Sequence, residues 1–334
     1  MRILNITNGD GAAGILKASS VPGDVLPWRD PMHHGPFPAG LSLDELRPVR
    51  ARYLVGPKGD ARAAERDLRL RDDHLKAAAT YDRVVLWFEH DLLDQLQILQ
   101  LLDWFAAAQL THIELRIICI NQFPGMDRFR GIGELDPTQM FSLLDQSIAV
   151  TDDMLKLAQR GWAAFRSNDP TALSALINTD LSSLPFLKAA LSRHLEEFPF
   201  TTTGLNRTEQ QILSLVAGGV HGPVELFWQN MDRETALYIG DWRTFSIIDR
   251  LCKAGLLTAE PGTFWHPPAS PEEQPVFRQQ RLMLTDFGQE VRSGKVDATG
   301  EIARDEWLGG VHIQSGQSSW AWDPETQEPV LRAF

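Results

Sequence analysis

The feature that most constrains the fold is a run of five apolar residues, VVLWF, at positions 84–88. A strand with one face in water alternates apolar and polar residues, whereas a continuous apolar run is typical of a strand that is covered on both faces. Residues 113–120 form a second strand of this kind, and a strongly apolar helical pattern separates the two. The pattern therefore predicts a central parallel sheet with helices packed on both faces.

Two further apolar segments, at residues 2–7 and 24–28, precede this pair. Between residues 2 and 120 the order is strand, helix, strand, helix, strand, helix, strand, which favours right-handed parallel crossovers. We predict a Rossmann-like, mostly parallel α/β domain over residues 1–135. Residues 136–199 show helical patterns and are predicted to form a helical extension packed on that domain. The segment PFTTTG at 199–204 has the composition of a linker.

The C-terminal region, residues 205–334, has the element order of a winged-helix-like domain. Helices are predicted from Asn206, over 222–231 and over 241–254, with wing strands at 256–258, 264–266 and 281–284. Glu209 lies three residues after Asn206, as in a capping box. Two aromatic segments, 307–313 and 319–322, could pair as a C-terminal β-hairpin.

Length and charge limit the classes of partner. A chain of 334 residues is too long for one typical core, and a formal net charge of −12 disfavours a protein that chiefly grips phosphate backbones. Nucleic-acid binding through a local groove of the winged-helix-like domain stays open, as does a homodimer. No run of about 18 apolar residues and no charged-then-apolar leader is present, which predicts a cytoplasmic protein without a membrane partner.

Polar residues follow each of the four predicted strands. They are Asn8, Gly9, Asp10 and Gly11 after the first; Arg29, Asp30, His33 and His34 after the second; Glu89, His90, Asp91, Asp94 and Gln95 after the third; and Asn121 and Gln122 after the fourth. In an open parallel sheet the loops beyond the carboxyl ends of the strands converge on the ligand crevice. The sequence therefore predicts one site, assembled from segments that are far apart in the chain.

The first of these loops is suited to an anion. Gly9 and Gly11 permit a tight turn and a close approach of the backbone, and the helix that follows offers free N–H groups. Together with Gly14 they match GxGxxG, the dinucleotide fingerprint, although a lone match is weak. Dinucleotide binding, binding of another phosphate-bearing ligand and a purely structural turn all stay open.

The third loop is chemically the richest. Histidine titrates near neutral pH, and carboxylates can orient it, accept protons or bind metal, so Glu89 and His90 are candidates for acid–base chemistry. The alternative is that Asp91 only caps the next helix and that His90 only packs. Asp94 and Gln95 share a helix face with this cluster and are expected to support it.

The second loop adds a clamp and imidazoles. The planar fork of Arg29 suits a phosphate or carboxylate, and Asp30 lies beside it. A divalent metal held by His34, Glu89 and Asp91 is a further alternative, but no tight ligand spacing such as HExxH supports it. The cofactor is otherwise unknown.

Several of these segments also resemble a bacterial family that is known only as domain of unknown function 1835. The resemblance rests on TNGD at 7–10, GDVLPWRD at 23–30, HGP at 34–36 and LWFEHD at 86–91 followed by Asp94 and Gln95. It covers the N-terminal half and, through RHLEE at 193–197 and the segment from Leu205, most of the chain. His33 departs from the family pattern, which has an acidic residue there. The resemblance implies the positions of the motifs and no particular chemistry.

Two functional hypotheses follow. In the first, the protein is an enzyme, a hydrolase or a phosphoryl or nucleotidyl transferase, that binds a small anionic ligand. Its catalytic candidates are Glu89, His90, His34 and Asp10, and its ligand-binding candidates are Asn8, Gly9, Gly11, Arg29, Asp30, Asp91 and Gln95. In the second, the α/β domain only senses a ligand and the winged-helix-like domain contacts protein or DNA.

Overall fold

The computed structural model describes residues 1–260 and 274–332. Contacts divide the chain into two units, Met1–Ser192 with Trp307–Val311 and Arg193–Glu306 with His312–Phe334. The first unit takes in most of the segment predicted as a helical extension, and the predicted linker at 199–204 lies within the second unit.

The first unit is built on a five-stranded sheet, and its α/β class with mostly parallel strands confirms the prediction. The strand order is β2-β1-β4-β5-β6, in which β1 pairs in parallel with β2 and β4, β4 pairs in parallel with β5, and β6 is antiparallel. The bounds of these strands are β1 Ile3–Thr7, β2 Asp24–Pro27, β4 Arg83–Glu89, β5 Glu114–Ile120 and β6 Ile148–Ala149. The helical patterns at 136–199 gave no indication of β6, because two residues are too few to form a period.

A short strand outside the sheet, β3, spans Gly35–Pro36 and pairs in parallel with Leu308 and Gly309 of β9, Asp305–Gly309. The helices of this part of the chain are α1 Asp10–Ala18, α2 Leu43–Val55, α3 Ala61–Lys76, α4 Leu92–Ala108, α5 Pro137–Ser142, α6 Asp152–Phe165, α7 Thr171–Ile177 and α8 Leu187–Leu195. Short 3₁₀ helices span Ala77–Thr80, Ile132–Glu134 and Leu144–Gln146.

Strand β4 is central and fully buried beyond its first residue, as its apolar run predicts. Its side chains alternate between the two faces of the sheet. Val85 and Trp87 pack on one face in a cluster that includes Leu16 of α1 and Met140 of α5. The sheet is therefore covered on both sides, and its edges are the places left for polar chemistry.

Side-chain caps fix where several helices begin. Ser42 and Glu45 form a capping box at α2, and Asp91 caps α4 by accepting a hydrogen bond from the Asp94 N–H at 2.8 Å. Asn206 and Glu209 form a second predicted capping box, at α9, Arg207–Ala217. The cap at Asp91 sets the direction in which α4 leaves the end of β4, and so it positions the residues of the third loop.

The second unit continues with α10 Pro223–Asp232, α11 Asp241–Lys253, β7 Leu257–Ala259, α12 Gln274–Gln279, β8 Leu282–Leu284, α13 Asp286–Arg292, β10 Val311–Gln314, β11 Ser319–Asp323 and β12 Glu328–Arg332. The first residue of β10, Val311, is assigned to the first unit. Strands β7 and β8 pair antiparallel and match two predicted wing strands, while the third, at 264–266, lies outside the described residues. The expected hairpin between 307–313 and 319–322 is wrong, because β11 pairs with β12 instead. Along the described ranges no helix is both long and apolar enough to cross a membrane.

Candidate active site

The candidate site lies at the carboxyl ends of β1 and β4. From β1 the chain goes to β2 on one side and later returns to β4 on the other, so the strand order reverses between β1 and β4. Such a reversal opens a crevice at the carboxyl edge, which is where ligands bind in open α/β sheets. Asn8, directly after β1, donates a hydrogen bond from Nδ2 to Asp94 Oδ2 at 2.9 Å. The first and third loops of the prediction therefore meet.

Three carboxylates form the core of this site. Glu89 ends β4, Asp91 caps α4 and Asp94 lies in the first turn of α4. One carboxylate oxygen of each lies within 4.8 Å of the others, and all three side chains are buried. We call Glu89, Asp91 and Asp94 the carboxylate cluster. Asp94, expected only to support the site, is a full member of it.

Backbone groups hold Glu89 in place. The Ile132 N–H donates a hydrogen bond to Glu89 Oε2, and Gln95 Nε2 donates to the Glu89 carbonyl oxygen at 2.9 Å. Gly131 lies so close that a Cβ there would collide with Glu89 Oε1. The segment that follows β5 is thus shaped around this carboxylate, and no local sequence pattern predicts that contact.

Burial and mutual repulsion keep protons on the carboxylate cluster. Burial raises the pKa of Asp91 to about 7, against the hydrogen bonds from the Asp94 and Leu93 N–H groups, which lower it. Burial first, and then the charge of Asp91, raises the pKa of Glu89 well above its usual range. The pKa of Asp94 is likewise raised, by burial and by both neighbours. A bound cation would relieve the same repulsion that these protons relieve.

The other buried acidic residues of the described chain are treated differently. Each of them forms an ion pair with at least one arginine. They are Asp30, Asp72, Glu197, Glu209, Glu234 and Glu306. In the part of the chain that the structure describes, no arginine or lysine forms an ion pair with the carboxylate cluster. Arginine side chains therefore neutralise the other buried acids, whereas the carboxylate cluster has no arginine or lysine partner among the described residues.

The donor set of the cluster suits a hard divalent cation. Asp94 Oδ1 is buried and accepts no hydrogen bond from the described residues, although buried polar atoms almost always have a partner. Carboxylate oxygens are the ligands preferred by Mg²⁺, Mn²⁺ and Ca²⁺. The sequence predicts His34, Glu89 and Asp91 as the metal ligands. In the structure Asp94, in place of His34, lies close to Glu89 and Asp91.

The first loop presents free backbone donors beside the cluster. The N-cap of α1 is Gly9, which provides no side-chain cap, so the first N–H groups of α1 are left for another acceptor. A Cβ at Gly9, Gly11 or Gly14 would meet nothing within 4 Å. The dinucleotide fingerprint needs its third glycine for close helix packing, and Gly14 has no such contact. The geometry favours a general anion site over that fingerprint.

Two residues expected to bind ligand directly have partners of their own. Arg29 Nη2 lies 2.7 Å from Asp10 Oδ1 in an exposed ion pair at the first loop. Asp30 is buried, and Arg50 Nη2 donates to its Oδ1 at 2.6 Å. The assignment of Asp30 to ligand binding is therefore corrected: its carboxylate is already satisfied inside the protein.

His34 lies beside α2. Its Nδ1 is 3.0 Å from the Tyr53 hydroxyl, its ring packs edge-on against His33, and its carbonyl oxygen accepts a hydrogen bond from Arg50. These contacts attach His34 to the Asp30–Arg50 pair, and the cation-ligand geometry of the cluster does not include it. His34 therefore lies outside this set of possible cation ligands, and its catalytic role stays a prediction.

Gln97, which the sequence reasoning missed, ties the loops together. Its side chain is fully buried in α4 and its Nε2 donates to the carbonyl oxygens of Trp28 and Asp30, at 2.8 and 3.1 Å. The same nitrogen lies 3.3 Å from the Asn8 carbonyl oxygen. The side-chain amide of Gln97, two residues after Gln95, therefore connects the loops that follow β1 and β2. A glutamine inside a strongly apolar helix was the available indication.

His90 lies between Glu89 and Asp91 in the sequence, and its side chain is half-buried. Its ring centroid lies 6.3 Å from that of Phe129 and 6.1 Å from that of Phe186. Aromatic packing thus fixes the ring at the border of the site. This position is compatible with the acid–base role predicted for His90.

Replacing Gly131 by alanine should disturb the site more than the fold. The new Cβ displaces the Glu89 carboxylate, so we expect cation affinity to fall roughly tenfold or more, as for other residues that orient a ligand. The matched control is Gly133→Ala, where a Cβ meets nothing within 4 Å. Mn²⁺ titration of both variants measures the effect, and equal affinities would show that Gly131 does not position Glu89.

Comparison with known proteins adds no relative: no family model matches the chain, and no curated protein does. The resemblance to domain of unknown function 1835 stays a prediction.

Proposed function

We propose that the protein is a divalent-cation-dependent enzyme that hydrolyses or transfers a phosphate-bearing group. The observation that carries the proposal is the carboxylate cluster, whose three buried acids lie within 4.8 Å of one another without an arginine or lysine partner in the described chain. Two or more ionised carboxylates at this distance need a cation or protons to be stable in a buried place. A permanent cluster with only a structural role would be expected to resemble the arginine-paired acids elsewhere in the fold.

The anion half of the site is the N-terminus of α1. Its unsatisfied N–H groups and the positive end of the helix dipole favour a phosphate, and Asn8 links this loop directly to Asp94. A phosphate there would lie next to a cation on the cluster. Adjacent sites for a cation and a phosphate are the common arrangement in phosphoryl transfer.

The residues divide the chemistry among themselves. Glu89, Asp91 and Asp94 would hold the cation, which when bound offsets negative charge on the phosphoryl oxygens. Arg29 would exchange its partner Asp10 for a phosphate oxygen, for which its planar fork is suited. His90, at the border of the site, would accept the proton of the attacking hydroxyl or water as the bond to phosphorus forms. The leaving oxygen would then depart with its bonding electron pair as the old bond to phosphorus breaks, and His90 would return the proton to it.

Inorganic phosphate is the simplest test of this arrangement. We expect phosphate to bind more tightly when Mn²⁺ is present, since the two charges attract across a short distance, and Arg29→Ala to weaken phosphate about tenfold while leaving Mn²⁺ binding unchanged. Arg52→Ala, which removes an exposed arginine of α2, is the control. Calorimetric titration measures both ligands.

Phosphate affinity that is independent of Mn²⁺ would contradict a shared site. Unchanged phosphate affinity in Arg29→Ala would remove Arg29 from it.

The regulator hypothesis has less support. The cations of α11, the predicted recognition helix, already have internal partners: Arg243 and Arg250 both pair with Glu306, and Lys253 pairs with Asp249. Reading the major groove of DNA needs such side chains to be available for base edges and phosphates. We therefore favour a protein-internal role for this helix.

A further inference from the structure

A cavity of about 200 Å³ lies in the first unit, beside the middle of α4. Its walls come from α4, from the start of α2, from the ends of α3 and α6 and from the loop after β2. Three tryptophan side chains line it: Trp28, Trp104 and Trp162. A cavity of about 150 Å³ is large enough to hold benzene. This one therefore has room for a small planar ring, for which aromatic walls are suited.

One face of α4 forms the polar side of the cavity. The lining residues of this helix are spaced by three and four positions, so they project from the same side of it. They are Gln100, Asp103, Trp104 and Ala107. Arg166, the C-cap of α6, lines the cavity from the helix that packs against α4. A carboxylate and a guanidinium group thus share one small space.

The Asp103 carboxylate is the acceptor of this space, and no protein group occupies it. Its side chain is half-buried, and it forms neither a hydrogen bond nor an ion pair with any other described residue. Burial raises the pKa of Asp103, and the charge of Arg166 acts in the opposite direction. The two charges therefore act on each other across the cavity without closing into an ion pair.

Two hydrogen-bond donors accompany this acceptor. The indole N–H of Trp28 donates to Gln100 Oε1 at 2.8 Å, which leaves the NH₂ group of the Gln100 side chain as a donor. Arg166 donates from Nε and Nη2 to the carbonyl oxygen of Pro38, at 3.0 and 2.6 Å, and from Nη2 to that of Leu41 at 2.7 Å. Its Nη1 forms no hydrogen bond with another described residue.

An amide group complements two donors and one acceptor. Its carbonyl oxygen has two lone pairs, which can accept from Gln100 and Arg166, and its N–H can donate to Asp103. In a planar ring that contains an amide, the polar edge and the apolar faces are held rigidly together. One small molecule can then meet both the polar side and the tryptophan walls, and a few convergent polar groups in an apolar pocket are typical of ligand sites.

We infer that this cavity binds a small planar heterocycle with an amide edge, as in a lactam or a nucleobase. The ring packs among the tryptophan side chains, and the amide edge bonds to Asp103, Gln100 and Arg166. The polar side begins about 9 Å beyond Asp94 along α4, and none of its residues belongs to the carboxylate cluster. The inference therefore does not depend on the proposed function.

Calorimetric titration with 2-pyridone and with its N-methyl analogue tests the inference. The methyl group removes the N–H that donates to Asp103 and keeps the ring and the carbonyl oxygen. We expect one 2-pyridone to bind per chain, and the N-methyl analogue to bind at least about tenfold more weakly, because it leaves the carboxylate desolvated and unpaired. Titration at pH 8 favours the ionised form of Asp103.

Three variants locate the binding in the cavity. Asp103→Leu and Arg166→Met each remove one polar partner and should weaken 2-pyridone about tenfold or more. Ala107→Trp places a large side chain at the cavity wall from an exposed position, and it should abolish binding without removing an internal contact. Asp67→Leu, at an exposed residue of α3 outside the lining, is the control and should bind 2-pyridone as the wild type does.

The preference for 2-pyridone over its N-methyl analogue decides the outcome. A preference in the wild type and in Asp67→Leu that disappears in Asp103→Leu, together with loss of binding in Ala107→Trp, supports the inference. Equal affinities for the two compounds in the wild type, unchanged binding in Ala107→Trp or absence of saturable binding would overturn it. Asp94→Asn, which alters the carboxylate cluster, should leave 2-pyridone binding intact, so the failure of either proposal is seen separately.

Discussion

Asp91→Asn should make the cation-free protein more stable than the wild type at pH 8.5, and it should weaken cation binding. Asparagine can still cap α4, because its side-chain oxygen accepts the same N–H group, but it carries no charge in the buried cluster. Few substitutions of a buried acid are expected to stabilise a fold, so the sign of the effect is informative.

The pH dependence follows from the pKa of Asp91. Burial raises it from 3.8 to about 7, so the folded protein holds a proton that the unfolded chain has released. The stability from this group is fully present below about pH 4 and is lost as the pH rises through about 7. The whole loss corresponds to roughly 4 kcal/mol in the free energy of unfolding. Asp91→Asn should therefore flatten the decline of stability between pH 5 and pH 8.5.

Urea unfolding in the presence of a chelator, at pH 5, 7 and 8.5, measures this effect. The control is Asp60→Asn, the same substitution at the exposed N-cap of α3, where hydrogen bonds from backbone N–H groups lower the pKa of the carboxyl. That variant should keep the decline of the wild type between pH 5 and pH 8.5. An equally steep decline in Asp91→Asn would show that Asp91 does not hold the proton.

Arg50→Met should destabilise the fold by about 3–5 kcal/mol, as expected when one partner of a buried ion pair is removed. Arg50 holds Asp30, and its guanidinium also lies 4.1 Å from the centroid of the Phe37 ring. Without it, the Asp30 carboxylate keeps, among the described residues, the longer contact to Arg71 at 3.8 Å. The double variant Asp30→Leu with Arg50→Met should recover much of the loss, because no unpaired charge remains.

Arg69→Met removes an exposed pair with Glu65 and is the control, with an expected effect of at most about 1 kcal/mol. Chemical denaturation gives the free energies of unfolding. Mn²⁺ affinity in the folded double variant should equal that of the wild type. If Asp30→Leu with Arg50→Met folds well but loses Mn²⁺ or phosphate binding, Asp30 belongs to the site after all.

The sequence was a good guide wherever a local pattern carries the information. The continuous apolar run at 84–88 predicts β4 as a central strand, and Ser42 with Glu45 predicts the start of α2. Both depend on neighbours in the chain, either by burial on two faces or by hydrogen bonds across three residues. The convergence of Asn8 with the third loop also follows from strand order alone.

The misplaced residues depend on partners that are distant in the chain. Asp30 follows a strand end as a ligand-binding residue should, but Arg50, twenty residues later, neutralises it. Asp94 reads as one acid in an apolar helix, and its role becomes visible only when β4 and the cap at Asp91 bring three carboxylates together. Gly131 matters because it lies against the carboxylate of Glu89, and the elements α4 and β5 separate these two residues in the chain. No local sequence pattern predicts these contacts between residues that are distant in the chain.

The most direct test of the cation site is a Mn²⁺ titration by calorimetry at pH 7, repeated in two buffers of different ionisation enthalpy. We expect one Mn²⁺ per chain, bound with release of protons, because the carboxylates must ionise to bind a cation. In Asp94→Asn, which keeps the size of the side chain, the binding should be lost or weakened by about a hundredfold. Absence of saturable binding, or binding that Asp94→Asn leaves unchanged, would contradict a cation site at Glu89, Asp91 and Asp94.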